Sequence, residues 1–317
     1  MERNSTLALD GVTIGPLVFA PLSPVVGAEV RELELTVDLD DGAMDAIRDG
    51  LDRFGVLLFR DQHLDPGDQV ILTKRFGRLQ EVAQKQYQMR DHPFVYVIGN
   101  VEENGRAIGD PSVGRLWHSD QSFIRHPAFG SLLYGVTCPE EGADTCFANM
   151  YCAYETLPAD LRDRIEHLHA VHSFADYYQA LRQRDSTQPP LTDARRSQFP
   201  DTIHPLVRRN PRTGRKALYI NPGYAIGIVE MPGAEGAALL EQLCAHARQD
   251  DLVYAHRWRN GDVLFWDNLA VNHRGTAFDT ARYVRRMHRT TVASDADAYA
   301  STLLPERDGL AAALPAA

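Results

Sequence analysis

The 317-residue sequence predicts a mainly β fold with flanking helices, arranged as a sandwich or barrel of the jelly-roll type. The second half contains many short segments rich in β-branched and aromatic residues, separated by turn residues. Only two helical patterns interrupt them, whereas regular alternation of strands and helices would indicate a parallel α/β sheet. The predicted strands cover residues 131–137, 145–148, 168–174, 217–220, 253–258, 262–266 and 283–292.

The first half predicts two helices and little sheet. Residues 40–54 have apolar side chains at helical spacing behind an acidic start, and residues 56–59 then form a short apolar strand. A second helix begins at Pro66, with Asp65 as its N-cap. In the second half, helices are expected over residues 153–168 and 235–248.

Residues 82–115 lack a regular pattern except for a strand-like run at 94–98. Long irregular segments in compact domains often cover a functional site. We therefore expect residues 82–115 to form an active-site lid or substrate loop. Within it, Tyr87 or Lys85 could contact the substrate, and exposure to solvent is the alternative for both.

Composition limits the classes of function. The net charge of −10 and the pI near 5.6 argue against a nucleic-acid-binding protein, which usually carries a basic surface. Neither a membrane-spanning run nor a secretory signal is evident. Four cysteines without Cys-x-x-Cys spacing suit a reducing compartment. No repeat or linker divides the chain, so residues 1–317 are expected to form one domain of a cytoplasmic protein.

The sequence contains two His-x-Asp patterns, about as many as chance predicts from its composition. In a strand, residues two apart project from the same face and can share one metal ion. His63-Leu64-Asp65 precedes a helix whose N-cap already explains Asp65. His118-Ser119-Asp120 has no helix to cap, so it is the better candidate, with an ion-paired histidine as the alternative.

A third ligand must come from elsewhere in the chain. The candidates are His273, which follows the apolar strand ending at Trp266, and the histidine cluster at positions 167, 169 and 172. The cluster follows a helix end, where the helix dipole favours histidine for structural reasons. Two histidines and one carboxylate are typical of non-haem Fe(II) oxygenases, which keep three coordination positions open. Zinc accepts the same ligands, although catalytic zinc usually keeps one position open.

Two arginines near the C-terminus suit the binding of acidic groups. If residues 285–289 form a strand, Arg285, Met287 and Arg289 share one face, and the arginines lie about 13 Å apart. Each could then hold a different acid, such as a cosubstrate carboxylate or a substrate anion. A solvated basic strand is the alternative.

Five motifs, in order, resemble the taurine dioxygenase and 2,4-D dioxygenase (TauD/TfdA) family of Fe(II)- and 2-oxoglutarate-dependent oxygenases. The resemblance covers nearly the whole chain and implies a double-stranded β-helix core (jelly-roll, cupin-like). The motifs are Trp117-His118-Ser119-Asp120, Gly142-Ala143-Asp144-Thr145 with Phe147-Ala148-Asn149-Met150, Asn221-Pro222-Gly223-Tyr224, Trp266-Asp267-Asn268 with His273, and Arg285-Arg286-Met287-His288-Arg289.

The resemblance implies that His118, Asp120 and His273 are the catalytic metal ligands and hold Fe(II). It also implies that Thr145 and Arg285 bind the distal carboxylate of 2-oxoglutarate.

Arg289 and Tyr224 match substrate-binding positions of the family. The spacing from His273 to Arg285 is one residue longer than in taurine dioxygenase, which leaves Arg286 as an alternative to Arg285. Residues 82–115, with Tyr87, match the taurine-binding residues least.

The expected reaction is oxidation of a small anionic substrate by O2, with release of succinate and CO2. The expected substrates are a carboxylate, sulfonate, sulfate ester or amino-acid-like metabolite. Hydroxylation is favoured, and C–heteroatom cleavage or desaturation is also compatible with the motifs. Asp120 excludes halogenation, because related halogenases carry a small residue there. The competing hypotheses are a zinc-dependent hydrolase and a catalytically silent binding protein, and the family leads us to expect a homo-oligomer, dimer or tetramer.

Overall fold

A nine-stranded sheet is the largest element of the computed structural model, which describes residues 11–111, 114–184 and 189–304. The strands are β1 Val12–Ile14, β2 Leu17–Pro21, β3 Ala28–Val30, β4 Val56–Phe59, β5 Gln88–Met89, β6 His92–Gly99, β7 Glu102–Glu103, β8 Arg106–Ala107, β9 Gly130–Thr137, β10 Thr145–Asn149, β11 His169–His172, β12 Thr202–Pro205, β13 Val207–Arg209, β14 Lys216–Leu218, β15 Ala225–Ile228, β16 Val253–His256, β17 Val263–Asp267, β18 Val271–Gly275 and β19 Arg286–Val292.

Eight helices surround these strands in the described part of the chain. They are α1 Asp41–Phe54, α2 Pro66–Lys74, α3 Met150–Glu155, α4 Ala159–Ile165, α5 Phe174–Arg184, α6 Asp193–Gln198, α7 Ala234–Ala247 and α8 Ala296–Ala300. Single 3-10 turns cover Lys85–Tyr87 and Asp250–Leu252. None of the described helices is long and apolar enough to span a bilayer.

The large sheet has the strand order β1-β2-β3-β4-β17-β9-β19-β6-β5 and faces a smaller sheet of order β16-β10-β18. The rings of Phe147 on β10 and Trp266 on β17 lie 5.6 Å apart, so the two inner faces pack directly against each other. Apart from the parallel β3–β4 pair, neighbouring strands in both sheets are antiparallel. This is the predicted sandwich.

Both faces of the large sheet are buried, and successive side chains of a strand point alternately into two different apolar clusters. On β17, Leu264 and Trp266 face the sandwich core, whereas Val263 and Phe265 belong to a second apolar cluster under α1. This two-residue period follows from the pleat of a strand. Helix α1 therefore covers the outer face, as its predicted apolar stripe requires.

Several predicted boundaries are wrong. The single helix expected over 153–168 is two helices, because Pro158 lies between them and cannot continue a helix. The first of them begins directly after β10, where the Asn149 side chain accepts hydrogen bonds from the backbone N–H groups of Tyr151 and Cys152. Asp65 does precede α2, but its side chain makes no capping hydrogen bond.

The segment 82–115 is more ordered than an irregular loop. It contributes β6 to the large sheet and carries the short strands β5, β7 and β8. Two of its positions, 112 and 113, lie outside the described residues. Sequence patterns did not predict β1–β3, β18 or helix α5.

Gly99 allows β6 and the chain before β19 to approach closely. Its φ is +138°, and a β-carbon built there would lie 1.8 Å from the carbonyl oxygen of Arg285. Gly105 also has a positive φ, but a β-carbon there meets nothing within 4 Å. Alanine substitutions at the two positions therefore distinguish the cost of backbone strain alone from the cost of strain with a steric clash.

We expect Gly99→Ala to lower the free energy of unfolding by about 3 kcal/mol, since strain and overpacking each cost about 1–3 kcal/mol. Gly105→Ala should lower it by about 1 kcal/mol, because only strain is added. Chemical denaturation of both variants tests this difference, and equal losses would contradict the assigned contact.

Candidate metal centre and substrate cavity

Three buried side chains converge at the open side of the small sheet. His273 lies on β18, and His118 pairs with it through two backbone hydrogen bonds of 3.0 and 2.7 Å. Asp120 follows two residues later. One potential ligand atom from each of the three lies within 4.8 Å of the others. In the described part of the chain, this is the one such group of histidine, cysteine or acidic residues.

A hydrogen bond to the His118 ring and the burial of both rings keep the two imidazoles in the neutral, metal-binding form. His118 Nδ1 lies 2.7 Å from the carbonyl oxygen of Leu116, so it carries the proton and leaves the Nε2 lone pair free. The Nε2 atoms of His118 and His273 lie 3.7 and 3.9 Å from the carboxylate of Asp120. Burial lowers the pKa of His118, and burial together with the neighbouring His118 lowers that of His273.

The Asp120 carboxylate is ionised although it is buried. Burial alone raises its pKa, but the guanidinium of Arg289, with the two imidazoles and the Ser131 hydroxyl, holds it well below the ordinary value. Arg289 donates to Oδ1 at 2.9 Å, and Ser131 donates to Oδ2 at 2.7 Å. An anionic carboxylate beside two neutral imidazoles suits a divalent transition metal.

Two asparagines fix the loop that carries His118 and Asp120. Asn268 Oδ1 accepts from the Asp120 backbone N–H at 3.1 Å, and its carbonyl accepts from Ser119 Oγ at 2.7 Å. Asn221 Nδ2 donates to the carbonyl oxygen of Ser119 at 3.1 Å. Sequence reasoning quoted both asparagines in motifs but missed this role, because its signal is only a polar residue at the end of an apolar strand.

Thr145 and Arg285 lie away from the large cavity described below. Thr145 pairs with Gly275, two residues along β18 from His273, and its Oγ1 accepts from Trp258 Nε1 at 2.9 Å. Arg285 is half-buried, its Nε is buried without a hydrogen-bond partner, and its guanidinium forms no ion pair with an acid of the described residues. Burial lowers its pKa to about 10. Because an unpaired buried cation is costly, this position suits an incoming carboxylate.

Arg285 lies directly before strand β19, so the predicted sharing of one strand face by Arg285 and Arg289 stays a prediction. Strand β19 begins only at Arg286, and its register against β9 shifts between Arg286 and Met287. The backbone N–H of Arg285 donates instead to the side chain of Asn100 at 2.7 Å.

A cavity of about 530 Å³ opens beside His118 and Asp120. The predicted substrate residues Arg289, Tyr224 and Tyr87 all line it, whereas Lys85 does not and pairs with Glu81 at 3.3 Å. Many of the lining side chains are aromatic, and sequence reasoning missed most of them because they come from separate loops and helices. These are Phe94, Tyr96, Phe123, Phe174, Tyr177, Tyr178 and Phe199.

The chain matches the family model described as taurine catabolism dioxygenase TauD, TfdA family, over residues 19–291. It belongs to this family. It is 34% identical to the alpha-ketoglutarate-dependent 2,4-dichlorophenoxyacetate dioxygenase of Cupriavidus pinatubonensis, covering 88% of this chain and 99% of that protein. Pentalenolactone F synthase of Streptomyces avermitilis is also 34% identical, over 84% and 90% of the two chains.

The fold of the TauD/TfdA family agrees with the one described above. The crystal structure of a taurine dioxygenase from Burkholderia xenovorans superposes with a TM-score of 0.73 at 33% identity, covering 88% of this chain and 90% of that one. The predicted family and its jelly-roll, cupin-like core are thereby confirmed. So is the enzyme class, an oxidoreductase that depends on 2-oxoglutarate (alpha-ketoglutarate).

The hydrogen bond from Ser131 to Asp120 should increase the affinity of the site for a divalent metal ion. We expect Ser131→Ala to weaken divalent-metal binding about tenfold or more, since losing a hydrogen-bond partner of a ligand typically costs 10- to 100-fold. Calorimetric titration with Mn(II) measures this change.

Thr290→Val is the matched control for Ser131→Ala. Thr290 is buried on β19, and its hydroxyl contacts Thr73 and Gln69 instead of a metal ligand. Its removal should lower stability and leave the metal affinity unchanged. Equal metal affinity of Ser131→Ala and the parent protein would refute the role of Ser131.

Proposed function

We propose that the protein is an Fe(II)- and 2-oxoglutarate-dependent dioxygenase that hydroxylates a small anionic substrate and releases succinate and CO2. The observation that carries this proposal is the joint placement of His118, Asp120 and His273 with Arg289 beside one cavity. The three side chains would hold the iron on one face. When bound, the iron and 2-oxoglutarate together supply the oxidising chemistry with O2.

The number of open coordination positions and the presence of Thr145 and Arg285 favour iron over zinc. Two histidines and one carboxylate leave three coordination positions open, enough for a chelating cosubstrate and dioxygen. A zinc hydrolase would need neither Thr145 nor the cation Arg285. Because Asp120 occupies a coordination position, the site is not suited to halogenation.

Arg285 and Thr145 would bind the distal carboxylate of 2-oxoglutarate. The guanidinium of Arg285, whose Nε is buried and which pairs with no acid of the described residues, supports this assignment, as does the position of Thr145 on the strand next to His273. Ion pairing would offset the cost of burying the cation. Arg286 is a weaker candidate, since its Nε already donates to His288 at 3.2 Å.

Arg289 would hold the anionic group of the substrate at the metal end of the cavity, with Tyr224 and Tyr87 on the walls. Several relatives are named for acids of this kind, namely 2,4-dichlorophenoxyacetate, (S)-phenoxypropionate, sulfate esters and sulfonates. The protein's task is to hold one C–H bond of the substrate beside the metal and to exclude water. C–heteroatom cleavage or desaturation would use the same arrangement.

Residues 82–115 would act as the substrate loop of a single-domain enzyme. Val82, Gln84, Gln86 and Tyr87 line the cavity, which supports this role. All four cysteines are free, in keeping with a reducing, cytoplasmic location. For the oligomeric state we propose a dimer or tetramer, to which the exposed apolar side chains Ile226 and Val229 could contribute.

The assignment is tested by adding Fe(II) and then 2-oxoglutarate under anaerobic conditions. We expect a visible charge-transfer absorption of the chelate in the parent protein and its loss in His118→Ala. Arg285→Ala should need about 10- to 150-fold more 2-oxoglutarate, since a hydrogen bond to a charged group contributes about 1.5–3 kcal/mol and each 1.4 kcal/mol is tenfold.

Arg286→Ala is the matched control and should titrate like the parent protein. Folded, metal-loaded protein that gives no absorption would overturn the dioxygenase assignment. A shifted titration in Arg286→Ala instead of Arg285→Ala would transfer the cosubstrate role to Arg286.

A further inference from the structure

An aromatic wall leads from the metal centre to the far end of the cavity. Tyr224 lies near the metal ligands, and its ring is 5.2 Å from that of Phe123. Phe123 lies 5.1 Å from Phe174 on α5, and the guanidinium of Arg195 on α6 is 5.5 Å above the Phe174 ring. The cavity therefore extends well beyond the space that a two-carbon acid would fill.

Arg195 lines this cavity and has no acidic partner among the residues that the structure describes. It makes no ion pair with a carboxylate of the described residues, and its buried Nε has no hydrogen-bond partner. A guanidinium stacked on a ring keeps its edge free to bind a planar anion with two parallel hydrogen bonds. Arg195 is thus placed to receive an anionic group from the cavity.

The other charged side chains on the cavity wall already have partners. Arg289 donates to Asp120, and Glu81 pairs with Lys85. Asp110 accepts a hydrogen bond from the Tyr96 hydroxyl at 2.5 Å. The two arginines lie in separate parts of the wall, Arg289 against Tyr96 and Arg195 against Phe174.

We propose that Arg195 determines specificity by binding a second anionic group at the far end of the substrate. The substrate class is then a molecule with an anionic oxygen group at each end of an apolar, preferably aromatic, body. This inference rests on the proposed function, in which Arg289 holds the first anion. A volume of about 530 Å³ agrees with it, since pockets of 300–1,000 Å³ typically enclose ligands of drug size.

The test compares matched probes that differ by one distal charge. Phenoxyacetate and 4-carboxyphenoxyacetate form one pair, and aliphatic mono- and α,ω-dicarboxylates of four to ten carbons extend the series. Binding is measured by calorimetry on the full chain, both alone and loaded with Mn(II) and N-oxalylglycine, so that no turnover is needed. We expect the parent protein to bind the best dianion about tenfold more tightly than its monoanion.

Arg195→Met should abolish this preference and leave affinity for monoanions unchanged, which also shows that the variant is folded. Arg195→Lys should retain part of the preference. Arg196→Met is the matched control, since Arg196 is an exposed neighbour on α6 outside the cavity lining, and it should behave like the parent.

Two results would overturn the inference. One is that the parent protein binds no dianion more tightly than its monoanion, and the other is that Arg195→Met keeps the preference for dianions. Failure of the proposed function looks different. In that case the dianion preference would persist in calorimetry, but no probe would stimulate consumption of 2-oxoglutarate by the Fe(II)-loaded protein.

Discussion

The buried charge of Asp120 is the constraint on which the rest of the site depends. Removing a carboxylate from water costs several kcal/mol unless it is paired and hydrogen-bonded. Here Arg289, Ser131 and the two imidazoles all favour the ionised form. Each of these groups comes from a different strand or loop, so the charge is stable only when the sandwich has assembled around it.

Because Arg289 pairs with Asp120 and also lines the cavity, it takes part in both metal binding and substrate binding in the proposed chemistry. In the described structure its guanidinium donates to a metal ligand, and it also lines the substrate cavity. Arg285 differs because its Nε is buried and its guanidinium pairs with no acid of the described residues. The two arginines that the sequence places four residues apart therefore have different electrostatic roles. One supports the metal ligand and faces the substrate, and the other is an isolated cation suited to the cosubstrate carboxylate.

Short-range patterns predicted the parts of this protein that depend on local geometry. The apolar stripe of α1 follows from the period of a helix. The His118-x-Asp120 pattern was selected by the period of a strand, although in the structure the two residues lie on a loop. Long-range register was not predictable in this way. The shift beside Met287 depends on β9, and the position of Arg285 depends on Asn100 and Gly99. Joining His118 to His273 required a family resemblance, because no spacing rule connects two residues that meet only through backbone pairing.

The distal part of the cavity was beyond sequence reasoning for the same physical reason. Its aromatic wall combines Phe123 from a loop with Phe174 and Phe199 from the region of α5 and α6, and these rings contact each other at 4.9–5.3 Å. In the sequence they are isolated aromatic residues that core packing explains equally well. In the structure they form a small cluster with Tyr177, Leu181 and Tyr224, distinct from the two cores that hold the sheets.

The separation of the distal aromatic cluster from the two cores affects how substrate specificity can change. The metal ligands are anchored by strands and by Asn221 and Asn268, whereas Phe174 and Arg195 stand on the peripheral helices α5 and α6. Substitutions more than 7–10 Å apart with no shared partners usually have additive effects. Changes on α6 can therefore alter which molecule is held without altering the metal centre. In the proposed function the reaction depends on the charge balance around Asp120, and in the proposal for Arg195 the choice of substrate depends on the far wall.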